Sequence, residues 1–299
     1  MVSPASHSPP IGLIGLGLLG SALSDRLRGG GLPVLGYDLE PSCREDLART
    51  GGMVASDAAE VFARCDRVLL SLPTHAEVEA VLAAVDHAVR PGHVILDTTT
   101  GDPEPTAALA ARLATRGVAY LDTTVSGSSS QLREGSAVLM VGGDATAFAA
   151  SGELFAPLGR ATFHCGGAGA GARMKLVTNV VLGLNRAALA EGLALAQGLG
   201  LDARQALAVM QSGPAYSRIM DRKGERMLSG NFVPEARLSQ HLKDVRLILE
   251  QGEAAGLPMP LSRAHRSVLE AAETAGLGAL DNSAIIRVLT ARAGTPEAR

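Results

Sequence analysis

The sequence predicts an α/β chain in which a doubly wound parallel-sheet domain is followed by an all-helical second domain. Three observations carry this. Short apolar runs alternate with helical stretches through the first half. The alternation stops at the glycine-rich segment 166–171, after which helical periodicity alone runs nearly to the end. The 299 residues exceed the usual extent of one domain, so each half has chain enough to bury its own core.

In the first half, residues 11–14, 34–37, 68–72, 94–96 and 120–121 form apolar runs too short to be helices and are expected as strands. Helical patterns at 18–27, 76–85 and 106–116 lie between them, which implies βαβ units and a buried parallel sheet. A run at 137–141, ended by Gly142-Gly143, is expected to add a strand. The first domain is thus placed at 11–164 and the second at 165–299, led by a long helix over 172–198. Later helices are separated by Gly213-Pro214, by Gly256-Leu257-Pro258 and by glycines between 276 and 278, all stereochemical breakers. Asp281-Asn282-Ser283 supplies an N-cap for a last helix. Residues 1–10 are Pro/Ser-rich without a basic start and read as a loose tail rather than a signal peptide, and 294–299 as a frayed end.

Composition removes several function classes. Hydrophobic residues make up 46% and charged residues 19%, an ordinary globular balance. The net charge of -3 comes with no basic run, so no nucleic-acid partner is expected. No stretch of 18 apolar residues is free of Gly or charge, so no membrane span is expected. Cys43, Cys65 and Cys165 are scattered and form no C-x-x-C, which argues for a reducing cytoplasm and against disulfides or structural zinc. The seven histidines show no H-E-x-x-H or other ligand spacing, so no metal is expected. Thr124-Val125-Ser126-Gly127-Ser128 lacks the outer glycines of a G-x-S-x-G nucleophile turn.

Gly15-Leu16-Gly17-Leu18-Leu19-Gly20 satisfies G-x-G-x-x-G, directly after a predicted strand and at the start of a predicted helix. That context is what a Rossmann-type dinucleotide site requires. The first glycine permits the turn, the second lets a pyrophosphate approach the backbone, and the third allows helix and strand to pack closely. The helix N-terminus adds amide donors and the positive end of a dipole. Asp38 ends the next predicted strand, 18 residues after Gly20 and near the roughly 20 expected for a ribose-binding carboxylate. Its charge repels a 2′-phosphate and Leu39 follows it, so NAD is expected over NADP. Arg44 stands close enough in sequence to leave NADP open.

Further along, the order of motifs resembles the β-hydroxyacid dehydrogenases, the family of 3-hydroxyisobutyrate dehydrogenase and tartronate semialdehyde reductase, from about Ile11 to Leu289. Leu72-Pro73-Thr74 and Asp97-Thr98-Thr99-Thr100 are similar to segments that line the cofactor in that family, which implies such a role for Leu72, Pro73 and Thr100. Asp122-Thr123-Thr124-Val125-Ser126-Gly127-Ser128 resembles the family's D-A-P-V-S-G-G, implying that Ser126 and the amides of Gly127 and Ser128 hold a substrate carboxylate. It departs from that pattern at Thr124, where the family has Pro, and at Ser128, where it has Gly. Gly171 to Asn179 matches G-x-x-x-K-x-x-x-N, which implies Lys175 as the catalytic acid/base and Asn179 as its orienting or substrate-binding neighbour. On a helix these two are i and i+4 and share a face. A helical Lys is ordinarily a solvated charge, but the turns after Lys175 are apolar and predict burial. Asn231-Phe232 to Leu242-Lys243-Asp244 resembles a segment ending in K-D, implying Lys243 near the nicotinamide.

The expected activity is therefore hydride transfer between a nicotinamide cofactor and a small 3-hydroxy acid or its semialdehyde. Lys175 would donate the proton in reduction and accept it in oxidation. Ser128, with Ser129 and Ser130, tilts the expectation toward a polar substrate such as tartronate semialdehyde, glycerate or threonate. Two alternatives stay open: an imine reductase-like enzyme, which usually lacks the Lys, and a non-catalytic dinucleotide-binding scaffold. The resemblance also implies a homodimer or homotetramer.

Overall fold

The computed structural model describes residues 9–291; most of the expected N-terminal tail and all of the expected frayed end lie outside them. The strands are β1 (Ile11–Ile14), β2 (Val34–Tyr37), β3 (Met53–Val54), β4 (Arg67–Leu70), β5 (Val94–Asp97), β6 (Ala119–Ser126), β7 (Val138–Gly142) and β8 (Ala161–Gly166). Between them run α1 (Leu18–Gly29), α2 (Pro41–Arg49), α3 (Ala58–Arg64), α4 (His75–Ala84), α5 (Pro103–Ala114), α6 (Ser129–Arg133), α7 (Ala145–Ala150) and α8 (Gly152–Leu158). Then follow α9 (Ala170–Gly198), α10 (Ala203–Ser212), α11 (Arg218–Ser229), α12 (Leu238–Ala254), α13 (Pro260–Thr274), a 3-10 turn (Asn282–Ile285) and α14 (Ile286–Thr290). The chain divides into two compact units at Lys175 and Leu176.

The first unit carries one eight-stranded sheet in the order β3-β2-β1-β4-β5-β6-β7-β8. β1 to β6 are mutually parallel, β7 runs antiparallel to β6, and β8 is parallel to β7. Alternate strand residues point to opposite faces. Leu13, Leu69, Leu96 and Leu121 accordingly join the α1, α6 and α8 core on one side, while Ile14, Leu70, Val68 and Ile95 join the α3, α4 and α5 core on the other. Burial on both faces is why these strands read as unbroken apolar runs. β3 and β8, which the sequence pattern does not mark, are the two edges. Met53 and Val54 are exposed and β8 is nowhere buried, so neither carries an apolar run.

Order reverses between β1 and β4, the switch point at whose carboxyl edge ligands bind in open α/β sheets. The glycine loop leaves β1 at that point.

The second unit is helical, with an isolated bridge between Arg237 and Asp281 as its extended pairing among the described residues. All three breaker sites fall between helices, and Asp281 caps the 3-10 turn through the Ser283 amide. Leu189, Leu193, Met220, Leu242, Val245, Leu269 and Ile285 share one core. Beside it Lys223 Nζ, 5% exposed, lies 2.9 and 3.0 Å from the two carboxylate oxygens of Asp281 and 3.1 Å from Glu235. Burial by itself raises the Asp281 pKa, but Lys223, the Ser283 hydroxyl and the Glu235 amide outweigh it and hold the carboxyl at about 2.

Removing Lys223 takes the nearest cation from a buried carboxylate and leaves it the Glu235 and Ser283 donors and the more distant Arg226, 3.9 Å away. Lys223→Met is expected to lower unfolding free energy by about 3–5 kcal/mol, read by denaturant titration at neutral pH. Because the folded pKa lies below the ordinary 3.8, the contribution of the pair is present above that value and lost as pH falls toward about 2. The wild-type advantage should therefore persist at pH 5; a variant as stable as wild type there would contradict the assignment.

Candidate active site

Gly15 has φ +93°, and a Cβ on it would lie 2.2 Å from the carbonyl oxygen of Ser71 just after β4. Gly20 sits under the same turn, where a Cβ would fall 1.9 Å from Gly15 O. Both glycines are therefore required by the protein's own packing. Gly17 is different: a Cβ there meets nothing within 4 Å. It is the N-cap of α1, whose first turn has no side-chain cap and no acidic residue. Amide donors, a helix dipole and open space over the backbone together fit a dinucleotide pyrophosphate.

Asp38 leaves β2 beside this loop. Its Oδ2 accepts from the Leu16 amide at 2.6 Å and its Oδ1 from the Glu40 amide at 2.9 Å, so the carboxylate is locked against the glycine turn. Leu39 is exposed. Arg44 donates to the carbonyls of Asp38 and Leu39 and leans over Tyr37, its guanidinium carbon 5.7 Å from the ring centroid.

The segments after β4 and β5 are tied together. The Leu72 amide lies 3.3 Å from Thr99 Oγ1, and the Thr98 hydroxyl donates to Leu70 O at 2.8 Å. Asp97, buried at the end of β5, accepts from the Thr99 amide at 2.9 Å and from the Tyr120 hydroxyl. Burial raises the pKa of both Asp97 and Tyr120. Pro73 and Thr100 follow directly in these two turns.

β6 ends in Ser126, and Gly127 turns away with φ +152°. Ser128 is the N-cap of α6: its hydroxyl accepts from the Gln131 amide at 3.3 Å and pairs with the Ser130 hydroxyl at 2.9 Å, while its own amide donates to Gln131 Oε1 at 3.0 Å. The residue that replaces the motif's second glycine thus closes a capping box. On α9, Lys175 is only 9% exposed and its Nζ donates to Val125 O at 2.6 Å, which sets the amine beside the Ser126-Gly127 turn.

Asn179 stands one turn further along α9 and is buried; its Nδ2 donates to Asp244 Oδ2 at 3.0 Å. Lys243 Nζ lies 3.5 Å from the other oxygen of Asp244. Asp244 therefore joins the two residues singled out in this unit.

The part that Asp122 and Asp244 play is not marked by any of the sequence motifs. Asp122 is buried at the middle of β6, where its carboxylate accepts from the amides of Gly169 and Ala172 at the start of α9. Burial raises its pKa and the amide donors oppose the rise. An acidic residue directly after the apolar Tyr120-Leu121 run was the available signal, since a buried carboxylate needs donors. No spacing rule says where along the chain those donors lie.

Residues 10–167 match the family model described as the NAD binding domain of 6-phosphogluconate dehydrogenase, and residues 169–289 the one described as NAD-binding of NADP-dependent 3-hydroxyisobutyrate dehydrogenase. The chain is 30% identical to L-threonate dehydrogenase of Cupriavidus necator over 93% of its length and 95% of that protein. It is 32% identical to 2-(hydroxymethyl)glutarate dehydrogenase of Eubacterium barkeri over 93% and 94%. Its structure is similar to the crystal structure of 3-hydroxyisobutyrate dehydrogenase from Salmonella typhimurium, with a TM-score of 0.87 at 25% identity, covering 94% of this chain and all of the other.

Gly17 separates binding from folding. Gly17→Ala is expected to leave the melting temperature of the cofactor-free protein unchanged, because the added methyl meets nothing in the chain. It should weaken dinucleotide binding about tenfold or more, equivalent to roughly 1.4 kcal/mol. Titration of NADH fluorescence checks this, and equal affinity in both proteins would show that no phosphate approaches this glycine.

Proposed function

We propose that this chain, which belongs to the β-hydroxyacid dehydrogenase family of NAD(P)-dependent oxidoreductases, interconverts a small 3-hydroxy acid and its semialdehyde with Lys175 as general acid/base. The observation that carries the reading is the buried Lys175 amine, 2.6 Å from Val125 O and beside the Ser126-Gly127 turn. A buried ammonium is costly unless it is paired or used.

Gly15 to Gly20 would hold the pyrophosphate and Asp38 the adenosine ribose, with Leu72, Pro73 and Thr100 along the same edge. When bound there, the nicotinamide supplies or takes the hydride at the substrate carbon. Lys175 gives its proton to the oxygen of the carbonyl being reduced and takes it back when the alcohol is oxidised. Ser126 and the Gly127 amide would hold the substrate carboxylate. Asn179, one turn on, would orient the Lys or receive a substrate hydroxyl. The polar character of this turn comes from Ser128, Ser129 and Ser130, and the amide and hydroxyl of Ser128 also serve the α6 cap, which weakens the case for a polar substrate over 3-hydroxyisobutyrate.

Asp38 favours NAD, since its carboxylate repels a 2′-phosphate. Arg44, fixed on the carbonyls of Asp38 and Leu39, favours some use of NADP. Three free thiols suit a reducing cytoplasm, and among the described residues no helix is long and apolar enough to cross a membrane.

The experiment is a panel of L-threonate, glycerate, tartronate semialdehyde and 3-hydroxyisobutyrate, run with both cofactors and compared by kcat/KM. Lys175→Ala should lower turnover by roughly 10²- to 10⁴-fold with NADH binding intact. Near-normal turnover in the variant refutes the role of Lys175. Silence of the wild type throughout favours the scaffold, and reduction of a cyclic imine in its place favours the imine reductase.

A homo-oligomer is also proposed. Val181 and Leu195 are 58% and 62% exposed at a spacing that puts them on one face of α9, and Leu199, 67% exposed, follows directly after its end. Sedimentation velocity should show a dimer or tetramer; a monomer at micromolar concentration rejects it.

A further inference from the structure

The start of α9 is stitched to β6 by side chains that no step of the reaction uses. Asp122, 2% exposed, accepts the Gly169 amide on Oδ1 and the Ala172 amide on Oδ2, each at 2.8 Å. Two residues on, the buried Thr124 hydroxyl lies 3.0 Å from Gly171 O and 3.2 Å from Met140 O, so its single proton is shared between helix and strand β7. The next residue is Val125, whose carbonyl receives the Lys175 amine. Three successive anchors on one strand therefore meet the segment from Gly169 to Lys175.

We propose that Asp122 and Thr124 are positioning residues that set the place of Lys175; this rests on the reading of Lys175 as acid/base. A carboxylate at a helix N-terminus is favoured by the free amides and by the dipole, and two bonds from its two oxygens fix rotation as well as depth. Ala172 precedes Lys175 by less than one helical turn, so a shift at the anchor reaches the Lys undamped. Displacements of about 1 Å at reacting groups can cost about 10² in rate. The glycines deny the helix another seat: a Cβ on Gly171 would lie 2.4 Å from Asp122 O and 2.6 Å from Met140 O. Thr124 stands where the motif otherwise has proline, which has no side-chain donor. The departure adds a bond to the helix.

The test uses Thr124→Val, which keeps the shape without the hydroxyl, Thr124→Ser, which keeps the hydroxyl, and Asp122→Asn. Each is made alone and with Lys175→Ala, on the best-turned-over acid of the panel. Thr124→Val is expected to lower kcat about tenfold with NADH affinity within about twofold, and Asp122→Asn by about 10- to 100-fold, inside the range for misplaced catalytic groups. Thr124→Ser should recover most of the rate. In the Lys175→Ala background neither change should cost more, because residues acting through one group are not additive. The proposal is overturned by unchanged kcat in Thr124→Val, or by the same loss with and without Lys175, which marks a general effect on folding. Should Lys175→Ala itself stay active, the acid/base reading fails and the proposal with it. Should Asp122→Asn not fold, the Thr124 pair decides alone.

Discussion

The first turn of α9 lies directly on the backbone of β6 and β7, and the seating of that helix on the sheet depends on the contact. A Cβ on Gly142 would fall 2.5 Å from Asp122 Oδ1 and 2.7 Å from Gly171 N, so there is no room for a side chain between strand and helix. Helix and sheet ordinarily pack through side-chain layers. Here glycines remove the layer and a carboxylate replaces it with hydrogen bonds. Asp122 is also the residue at which β6 changes partners, pairing in parallel with Asp97 of β5 and antiparallel with Gly142 of β7. One residue thus joins the parallel sheet, its antiparallel extension and the helix that bears Lys175.

The glycine loop obeys the same kind of constraint for a different purpose. Gly15 and Gly20 are small because β4 and the loop's own carbonyl crowd them, whereas Gly17 is small where nothing of the protein is near. A residue kept small against empty space leaves room for a ligand. Asp38 then reaches back to the Leu16 amide, so the carboxylate that would meet the ribose also braces the turn that would meet the phosphates.

In the second unit, polar groups are buried along the helices rather than excluded. Asp244 joins Asn179 and Lys243, and Asp281 gathers Lys223, Ser283 and the Glu235 amide. Arg186, 2% exposed, is pulled down to about 10 by burial, which the charges of Asp281 and Asp244 oppose. Such groups contribute little net stability when paired, yet they penalise any arrangement that separates them. The Asn179–Asp244 bond joins α9 to α12, and the Lys223–Asp281 pair joins α11 to the start of the 3-10 turn.

The order of strands and helices, the glycine loop, Asp38 and the pairing of Lys175 with Asn179 on one helix face were legible in the sequence. Each is a local pattern: a period of two or 3.6, a turn that only glycine permits, or a fixed spacing along one element. Edge strands β3 and β8 escaped because partial exposure erases the apolar run that marks a strand. The capping box of Ser128 and Gln131 was a readable spacing, yet that both the hydroxyl and the amide of Ser128 are engaged by Gln131 needed the hydrogen bonds to be seen. Only the tertiary structure decided that Asp122 holds the start of α9, that Thr124 bonds Gly171, and that Asp244 lies between Asn179 and Lys243. These partners are about 50 and 65 residues apart, and which distant amide a buried carboxylate finds is set by how the elements pack.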